Sequence, residues 1–581
     1  MKKVSEHKWG WLVLIAAFVA VNLLASMLHT KFDLTKEKRY TITSTTKNLL
    51  KKLDDKLEVQ VFLSGDLPAG FQKLASTTKD FLQVMKESNS SKISYKFIAP
   101  EKEMDDANGK YGDTLVSLGA TPINLTVQIK QGQQSKVVFP YALVKYKDQE
   151  ILVSLYSGGK RVITADEMNS AEAMMEYNFA KTLNSLLNPE KPLVAYAIGN
   201  GETPLAGLTP TGNLMNPATF DLVSILRKDY QVFTLDIGKR AFIPDTFKVL
   251  VMVKPTLQFN EDEKLKMDQY LMRGGKIICF IDNLNAEKDS LLTGEKKELI
   301  AYDRNLNLTD LFFKYGIRIN TDLVMDLQCD FIPLIVGGTK DNPQIEYLHW
   351  NYNPLFESKN NHPINKNLGL VAGRFVNSID TVKAMDVTKT ILLSTSANSR
   401  KLGTPALISF NENRNTPEDN LFKQKDIPVA VLLEGKFTSL YRNRISQNQL
   451  DTLKSKGLDY LLIGNGLGKI MVVADGDIVM NDFNQKQGPL PMGMNLYTVG
   501  TKYEYQFANR DFLLNSLEYL VSNESIMATR NKEVVLRLLN SNKVEEEKLQ
   551  WQIINIALPL MLVVLGGLIY QLVRRKKYAA Q

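Results

Sequence analysis

Leu461–Val473 reads LLIGNGLGKIMVV and is the nearest approach in the chain to a phosphate-binding loop. Such a loop needs Gly-x-x-x-x-Gly-Lys followed by Ser or Thr, so that backbone amides, the lysine and a magnesium-binding hydroxyl converge on phosphate. Ile463 stands where the first glycine belongs and Ile470 replaces the hydroxyl, so ATP hydrolysis is not expected of this chain. A second stretch, AIGNGETP (197–204), directly follows the apolar run PLVAYAI. Loops at the carboxyl ends of strands are where open α/β sheets bind ligands, which makes Gly199, Asn200, Gly201 and Glu202 the candidate ligand-binding residues. The competing reading is a tight turn whose glycines take positive φ. ADGDIVMND offers Asp475, Asp477 and Asp482 but lacks the spaced oxygens and closing Glu of a calcium loop, so a solvated turn is expected there. His7, His29, His349 and His362 show no paired ligand spacing, and neither a metal nor another cofactor is expected. No Gly-x-Ser-x-Gly elbow occurs, and Cys279, in the middle of KIICFID, reads as a small core residue rather than a nucleophile. Whether it pairs with Cys329 is left open. These residues favour a non-catalytic, binding or structural role.

The elements that must position them are α/β in character. LEVQVFL alternates with period two, Phe71, Leu74, Thr78, Phe81, Leu82 and Met85 recur at helical spacing, and KISYKFI alternates again. LTVQIK, KVVFPYALVKY and EILVSLY are expected to complete this first domain as antiparallel strands. A helix with Met168, Ala171, Met175, Phe179, Leu183 and Leu186 in one stripe follows, and the stripe reads as core. PLVAYAI, QVFTLDI, KVLVMV and KIICFI are continuously apolar strands, with helices expected at 217–228 and 261–273, as in a mostly parallel sheet covered on both faces. Asn260 with Glu263 forms a capping box before the second of these helices, and Gly274-Gly275 closes it. KIMVVADGDIVMND looks like a further strand ending in an acidic loop.

At 581 residues the chain exceeds the roughly 250–300 residues at which one core stops growing, so two or more domains are expected. The net charge of +8 owes much to the chain ends, and no interior basic patch interleaved with aromatics appears, so nucleic acid is excluded as a partner. Trp9–Leu28 is almost uninterrupted in its apolarity, and at about 1.5 Å per residue it covers a bilayer core of about 30 Å. A cleaved signal peptide is the rival reading, but the run is long for one and offers no clean small-x-small site. Trp551–Val573 is a second candidate span, followed by Arg574, Arg575, Lys576 and Lys577, which place that end in the cytoplasm. The expected organisation is a cytoplasmic N-terminus (1–8), a first transmembrane helix (9–28), an N-terminal α/β domain (31–160) and a connecting helix (161–190). A second α/β domain (191–330) and its completion or a third domain (331–530) follow, then a juxtamembrane helix (531–550), the second transmembrane helix (551–573) and a basic cytoplasmic tail (574–581). The body would lie in the periplasm, held to the inner membrane at both ends.

The blocks FDLTKEKRYTITSTTKNLLKKLDDKLEVQVFLSGDLPAGFQKL, YAIGNGETP, YLMRGGKIICFIDN and NRDFLLNSLEYL, between two apolar runs, resemble the gliding motility-associated ABC transporter component GldG of Bacteroidetes over essentially the whole chain. RGGKIICFID is similar to transporter-associated domains with a glutamine-amidotransferase-like doubly wound sheet. The resemblance implies an ABC-2-like complex with a separate permease and a separate cytoplasmic ATPase as partners, acting in gliding or cell-surface export. Asn22, Gln552 and Asn555 would then hydrogen-bond permease helices within the lipid bilayer, and a second copy of the chain is a further candidate partner. The alternative function is a solute-binding module that captures a small saccharide or peptide through the Gly199–Glu202 loop.

Overall fold

The computed structural model describes residues 41–103, 109–129, 132–156, 165–210, 212–288, 291, 298–339, 341–366, 368–410, 419–455, 457, 459–521, 524–531 and 541–578, together with Ala16, Phe18 and Val19. Apart from those last three, the expected span Trp9–Leu28, with Asn22, lies outside the described residues.

The first sheet has four strands, in the order Ile93–Phe97, Leu57–Val61, Tyr141–Tyr146 and Gln149–Ser154. The first pair is parallel, as a strand-helix-strand crossover requires, and the others are antiparallel. Leu57, Val59 and Val61 alternate into a core with Phe71, Leu74, Leu82 and Met85 of helix Ala69–Ser88. Helix Ala165–Leu187 belongs to the same core through Met168, Met175, Phe179 and Leu183, so the methionine stripe is packing. Ile123–Ile129 and Gly132–Val138 are antiparallel, as expected, and form a two-stranded hairpin of their own whose Ile123 and Val138 reach the same core.

The second sheet has seven strands, in the order Gln231–Asp236, Leu193–Ile198, Val249–Val253, Lys276–Phe280, Gly468–Val473, Pro428–Gly435 and Val387–Ser394. The first five run parallel, and Pro428–Gly435 is antiparallel to both its neighbours. Strands from beyond residue 386 therefore share a sheet with those before residue 281. Side chains alternate between two cores. Leu250, Met252, Ile277, Cys279, Ile470 and Val472 meet helix Glu261–Met272 on one face. Val249, Val251, Val253, Ile278, Phe280 and Met471 meet helices Phe220–Asp229 and Asn509–Val521 on the other. With both faces covered these strands can be apolar throughout, and Val249–Val253 is buried at every position. The capping box forms: Glu263 N donates to Asn260 Oδ1 at 2.9 Å and Asn260 N to Glu263 Oε2 at 2.9 Å.

Between strands Lys276–Phe280 and Val387–Ser394 the chain builds a long hairpin, Cys329–Thr339 with Asn342–Phe356, whose core gathers Trp350, Tyr352, Phe375 and Phe410. Both cysteines are free and buried. After helix Asn509–Val521 the chain returns to helix Ala165–Leu187, where Ile526 and Met527 cover Tyr177 and the Arg530 guanidinium lies 4.9 Å from the Tyr177 ring centre. Glu518 accepts a hydrogen bond from Tyr177 Oη, and Lys181 bridges Glu518 and Asp229 at 3.1 and 3.0 Å.

Residues 533–581 form a separate unit. Helix Ser541–Tyr578 runs unbroken through 38 residues, Pro559 included, so residues 541–550 and the expected 551–573 span are one element. Glu547–Lys576 is long and apolar enough to cross a membrane, and among the described residues its apolar stretch is exposed.

Candidate functional site

Three consecutive parallel strands of the large sheet end in charge. Val249–Val253 is followed by Lys254, Lys276–Phe280 by Ile281 and Asp282, and Gly468–Val473 by Ala474, Asp475, Gly476 and Asp477. The parallel register brings these ends to one edge, and their side chains meet. Lys254 Nζ lies 3.0 Å from Asp282, 3.0 Å from Glu287 and 2.8 Å from Asp477. Arg304 joins through Glu287 at 2.8 Å. Asp482 pairs with Lys288 at 2.9 Å and with Arg374 at 3.3 Å, and also accepts Leu496 N at 3.0 Å. Asp475 is fully buried and accepts backbone N–H groups from Arg374 (2.8 Å) and Asp477 (2.7 Å).

The backbone is shaped to make room for this cluster. Lys254 has φ +48°, in the left-handed region that a lysine occupies only where its surroundings impose it. Its stem passes against Gly476, where any Cβ would collide with Lys254 Cγ. The expected solvated turn at Asp475, Asp477 and Asp482 is thus corrected: all three carboxylates are withdrawn from water into ion pairs and backbone amides. Burial that leaves a charge unpaired is costly, and the pairing is what makes the arrangement tenable.

Each group's ionisation follows its neighbours. Burial works against the ammonium of Lys254, but Asp282, Asp477 and Glu287 outweigh it and hold its pKa well above the usual lysine value. Burial likewise opposes the charge on Asp477 and Asp482, yet Lys254 with Arg374, and Arg374 with Lys288, hold these carboxyls below the usual range. Burial, then the negative charges of Asp477 and Asp282, push Asp475 well above it. Lys288 is depressed to about 8, by burial and then by Arg374. A pocket of about 50 Å³ opens against this cluster, with Arg374, Asp477 and Asp482 in its wall.

The Gly199–Glu202 loop follows strand Leu193–Ile198 at the same edge. Gly199 and Gly201 take φ of +117° and +72°, and a Cβ on Gly201 would strike Thr256 Oγ1. Asn200 and Glu202 are buried. Asn200 N donates to Glu202 Oε2 at 2.8 Å, Asn200 Nδ2 donates to Glu263 Oε2 at 3.0 Å, and Asn200 O accepts Thr256 N and Leu257 N, both at 2.9 Å. The loop therefore locks onto the capping box of helix Glu261–Met272. Burial raises the Glu202 pKa, against the pull of the backbone amides.

Gln552 and Asn555 are exposed on helix Ser541–Tyr578, which also carries Arg574, Arg575, Lys576 and Lys577. Among the described residues no group of three or more His, Cys, Asp or Glu side chains is placed to hold a metal ion. Sequence reasoning missed Lys254, Asp282, Glu287, Lys288, Arg304 and Arg374. The available signal was VMVK, CFID and VVADGD: successive apolar strands each closing on charge at corresponding positions.

Fold and edge define a two-faced α/β body whose strand ends are tied by charge, in a chain that also carries a membrane-length helix. A model of the family described as an ABC-type uncharacterized transport system matches residues 191–516, which hold the whole seven-stranded sheet and its charge network. The chain belongs to that family. A family described as a domain of unknown function matches residues 36–145. An uncharacterized protein of Borreliella burgdorferi is 22% identical over 446 residues, 75% of this chain and 79% of that one. Among solved structures, the mmIFT52 N-terminal domain aligns at 13% identity and a TM-score of 0.31, covering 57% of this chain and 98% of its own. The exo-beta-1,4-mannosidase Op5Man5 from Opitutaceae bacterium strain TAV5 aligns at 9% identity and 0.20, covering 86% and 56%. TM-scores this low transfer neither fold nor activity. The family assignment reaches a transporter-associated component; the narrower likeness to the gliding-motility component and the amidotransferase-like fold are not part of it.

Proposed function

We propose that this chain is a non-catalytic subunit of an ABC-2-like transporter, its body held on the outer side of the cytoplasmic membrane and its partners a separate permease and a separate ATPase. The observation that carries the reading, beside membership of a transport-system family, is the exposed apolar helix Glu547–Lys576 ending in Arg574, Arg575 and Lys576. An apolar surface of that length, exposed among the described residues, is stable in hydrocarbon, and the terminal cations favour the cytoplasmic face. The apolar run Trp9–Leu28 supplies the second anchor in this reading. That Leu461–Val473 lacks the first glycine and the hydroxyl of a phosphate loop supports leaving ATP hydrolysis to another subunit. The pairing of Lys254 with Asp282 and Asp477, and of Lys288 with Asp482, favours a brace over a reactive centre. Service in gliding or cell-surface export is the narrowest form of the proposal and rests on the sequence resemblance.

Affinity purification of the full chain from its native membrane in mild detergent tests it. A permease and an ATPase should copurify, and Gln552→Leu with Asn555→Leu should weaken their recovery while leaving the chain in the membrane. Recovery of the chain alone, with neither subunit, sinks the proposal.

A further inference from the structure

We infer that the pocket beside Arg374 binds the adjacent hydroxyls of a small neutral saccharide or cyclic polyol. The inference concerns the α/β body alone and does not depend on the transporter reading. The pocket is built by segments that the fold converges on the carboxyl edge of the parallel strands, where open α/β sheets take their ligands.

Asn353 makes the strongest demand for a ligand. It is only 8% exposed, it lines the pocket, and its Oδ1 has no hydrogen-bond partner. Buried amide oxygens are nearly always satisfied, so an orphan of this kind at a cavity wall calls for a donor brought from outside. The other polar groups of the wall are Asp330, Asp477, Asp482 and Arg374, with Asn495 and Asn509. Asp330 already accepts Phe331 N and Asn495 Nδ2, at 2.8 Å each, and Arg374 is shared with Asp482 at 3.3 Å, so the wall offers a ligand the Asn353 amide oxygen, the outer lone pairs of Asp477 and Asp482, and one guanidinium. The occupant must present mainly donors while accepting from one guanidinium. Paired hydroxyls do this, since each can donate to a carboxylate or amide oxygen and accept from Arg374.

Charge selects against a cation with the same donors. Lys254, Lys288, Arg304 and Arg374 already balance Asp282, Glu287, Asp477 and Asp482 through the contacts described above. Asp330 and Asp475, the remaining carboxyls, are pushed up, chiefly by burial, as is Asp282, which Lys254 pulls the other way. A neutral ligand leaves that balance intact, whereas an ammonium or a phosphate would enter a low-dielectric site without a free counter-ion. Size and floor agree. At about 10–15 Å³ per water-sized group, the 50 Å³ holds one edge of a ring with a few hydroxyls, and Phe507 and Met480 offer an apolar surface to its C–H face.

The test uses the full chain in detergent micelles, titrated calorimetrically with D-glucose, D-mannose, D-galactose and myo-inositol, with ethanolamine and inorganic phosphate as charged counterparts. At least one polyol should give saturable heat at millimolar concentration, and neither charged probe should. Asn353→Leu should weaken that binding by about tenfold or more, while its melting temperature stays level or rises because an unsatisfied buried acceptor has been removed. Arg374→Lys, which keeps the charge opposite Asp482 but loses the planar fork, should weaken binding with the fold preserved. Absence of saturable binding by all four polyols, preference for either charged probe, or polyol binding that survives both substitutions would each overturn the inference.

Discussion

Replacing Lys254 with methionine tests the claim that charge pairing is what keeps the strand ends together. Methionine preserves most of the unbranched stem that threads past Gly476, so the change removes the ammonium and little else. That ammonium lies within 3.0 Å of Asp282, Glu287 and Asp477, and the side chains of Asp282 and Asp477 are 8% and 14% exposed. Breaking a buried ion pair from one side costs about 3–5 kcal/mol, because the abandoned carboxylates stay desolvated. Unfolding entropy is about 2.1 cal/mol/K per residue, so over the roughly 330 residues of the 191–516 region the loss lowers the melting midpoint by about 4–7 °C. Differential scanning calorimetry of the full chain in detergent reads this directly. The sign of the pH effect follows from linkage. In the native protein Asp477 is held below the usual carboxylate range, so the stability it supplies is present at neutral pH and lost only as pH falls through that lowered value. Without Lys254 the Asp477 pKa moves up, with Arg374 left to oppose burial, and Asp282, already raised by burial, loses its largest lowering partner and moves further up, so acid relieves the abandoned charges. The gap between variant and native protein should therefore narrow as pH is lowered from 7 to about 5, and Asp477→Asn added to Lys254→Met should restore part of the midpoint. A midpoint unchanged at pH 7, or a loss that ignores both pH and the second substitution, would refute the reasoning.

Gly476→Ala attacks the same contact sterically: the new methyl meets Lys254 Cγ, and overpacking at so constrained a place should cost about 1–3 kcal/mol, read as an earlier midpoint in urea. The two thiols should be silent in the native protein. Cys279 is fully buried with its pKa pushed up to about 12, and Cys329 is buried and likewise raised, so a thiol reagent at pH 8 should label neither until denaturant is added and then label both. Rapid labelling of Cys279 in the folded chain would contradict its place in the sheet.

Elements that follow from local chemistry were legible in the sequence. The capping box at Asn260 and Glu263 and the apolar strands around Val251 and Ile278 depend on residues within a turn or two of each other, and period and cap residues report those directly. The helix expected from Pro217 begins at Phe220, after a single tight turn at Pro217–Thr219, a boundary shift of the kind that local pattern leaves undetermined. Long-range pairing was not legible. LTVQIK and KVV alternate as well as any strand of the first sheet, yet they pair with each other because their partner is the adjacent segment. The charge network was harder still. Asp477 and Lys254 are 223 residues apart, and an aspartate beside a glycine looks the same in a solvated turn as at a buried strand end. Only the register of parallel strands converts three separate acidic or basic endings into one site.

The segment that leaves the body toward the last helix is seated on the flank of helix Ala165–Leu187, with Ile526 and Met527 over Tyr177 and Glu518 held by Lys181 and Tyr177. A tug on the chain near Asn531 is consequently met first by the small cluster of Ile526, Met527 and Tyr177 and by Arg530 against the Tyr177 ring. Those contacts must all part before the helix above them feels the pull, whereas a bare linker would pass it on at once.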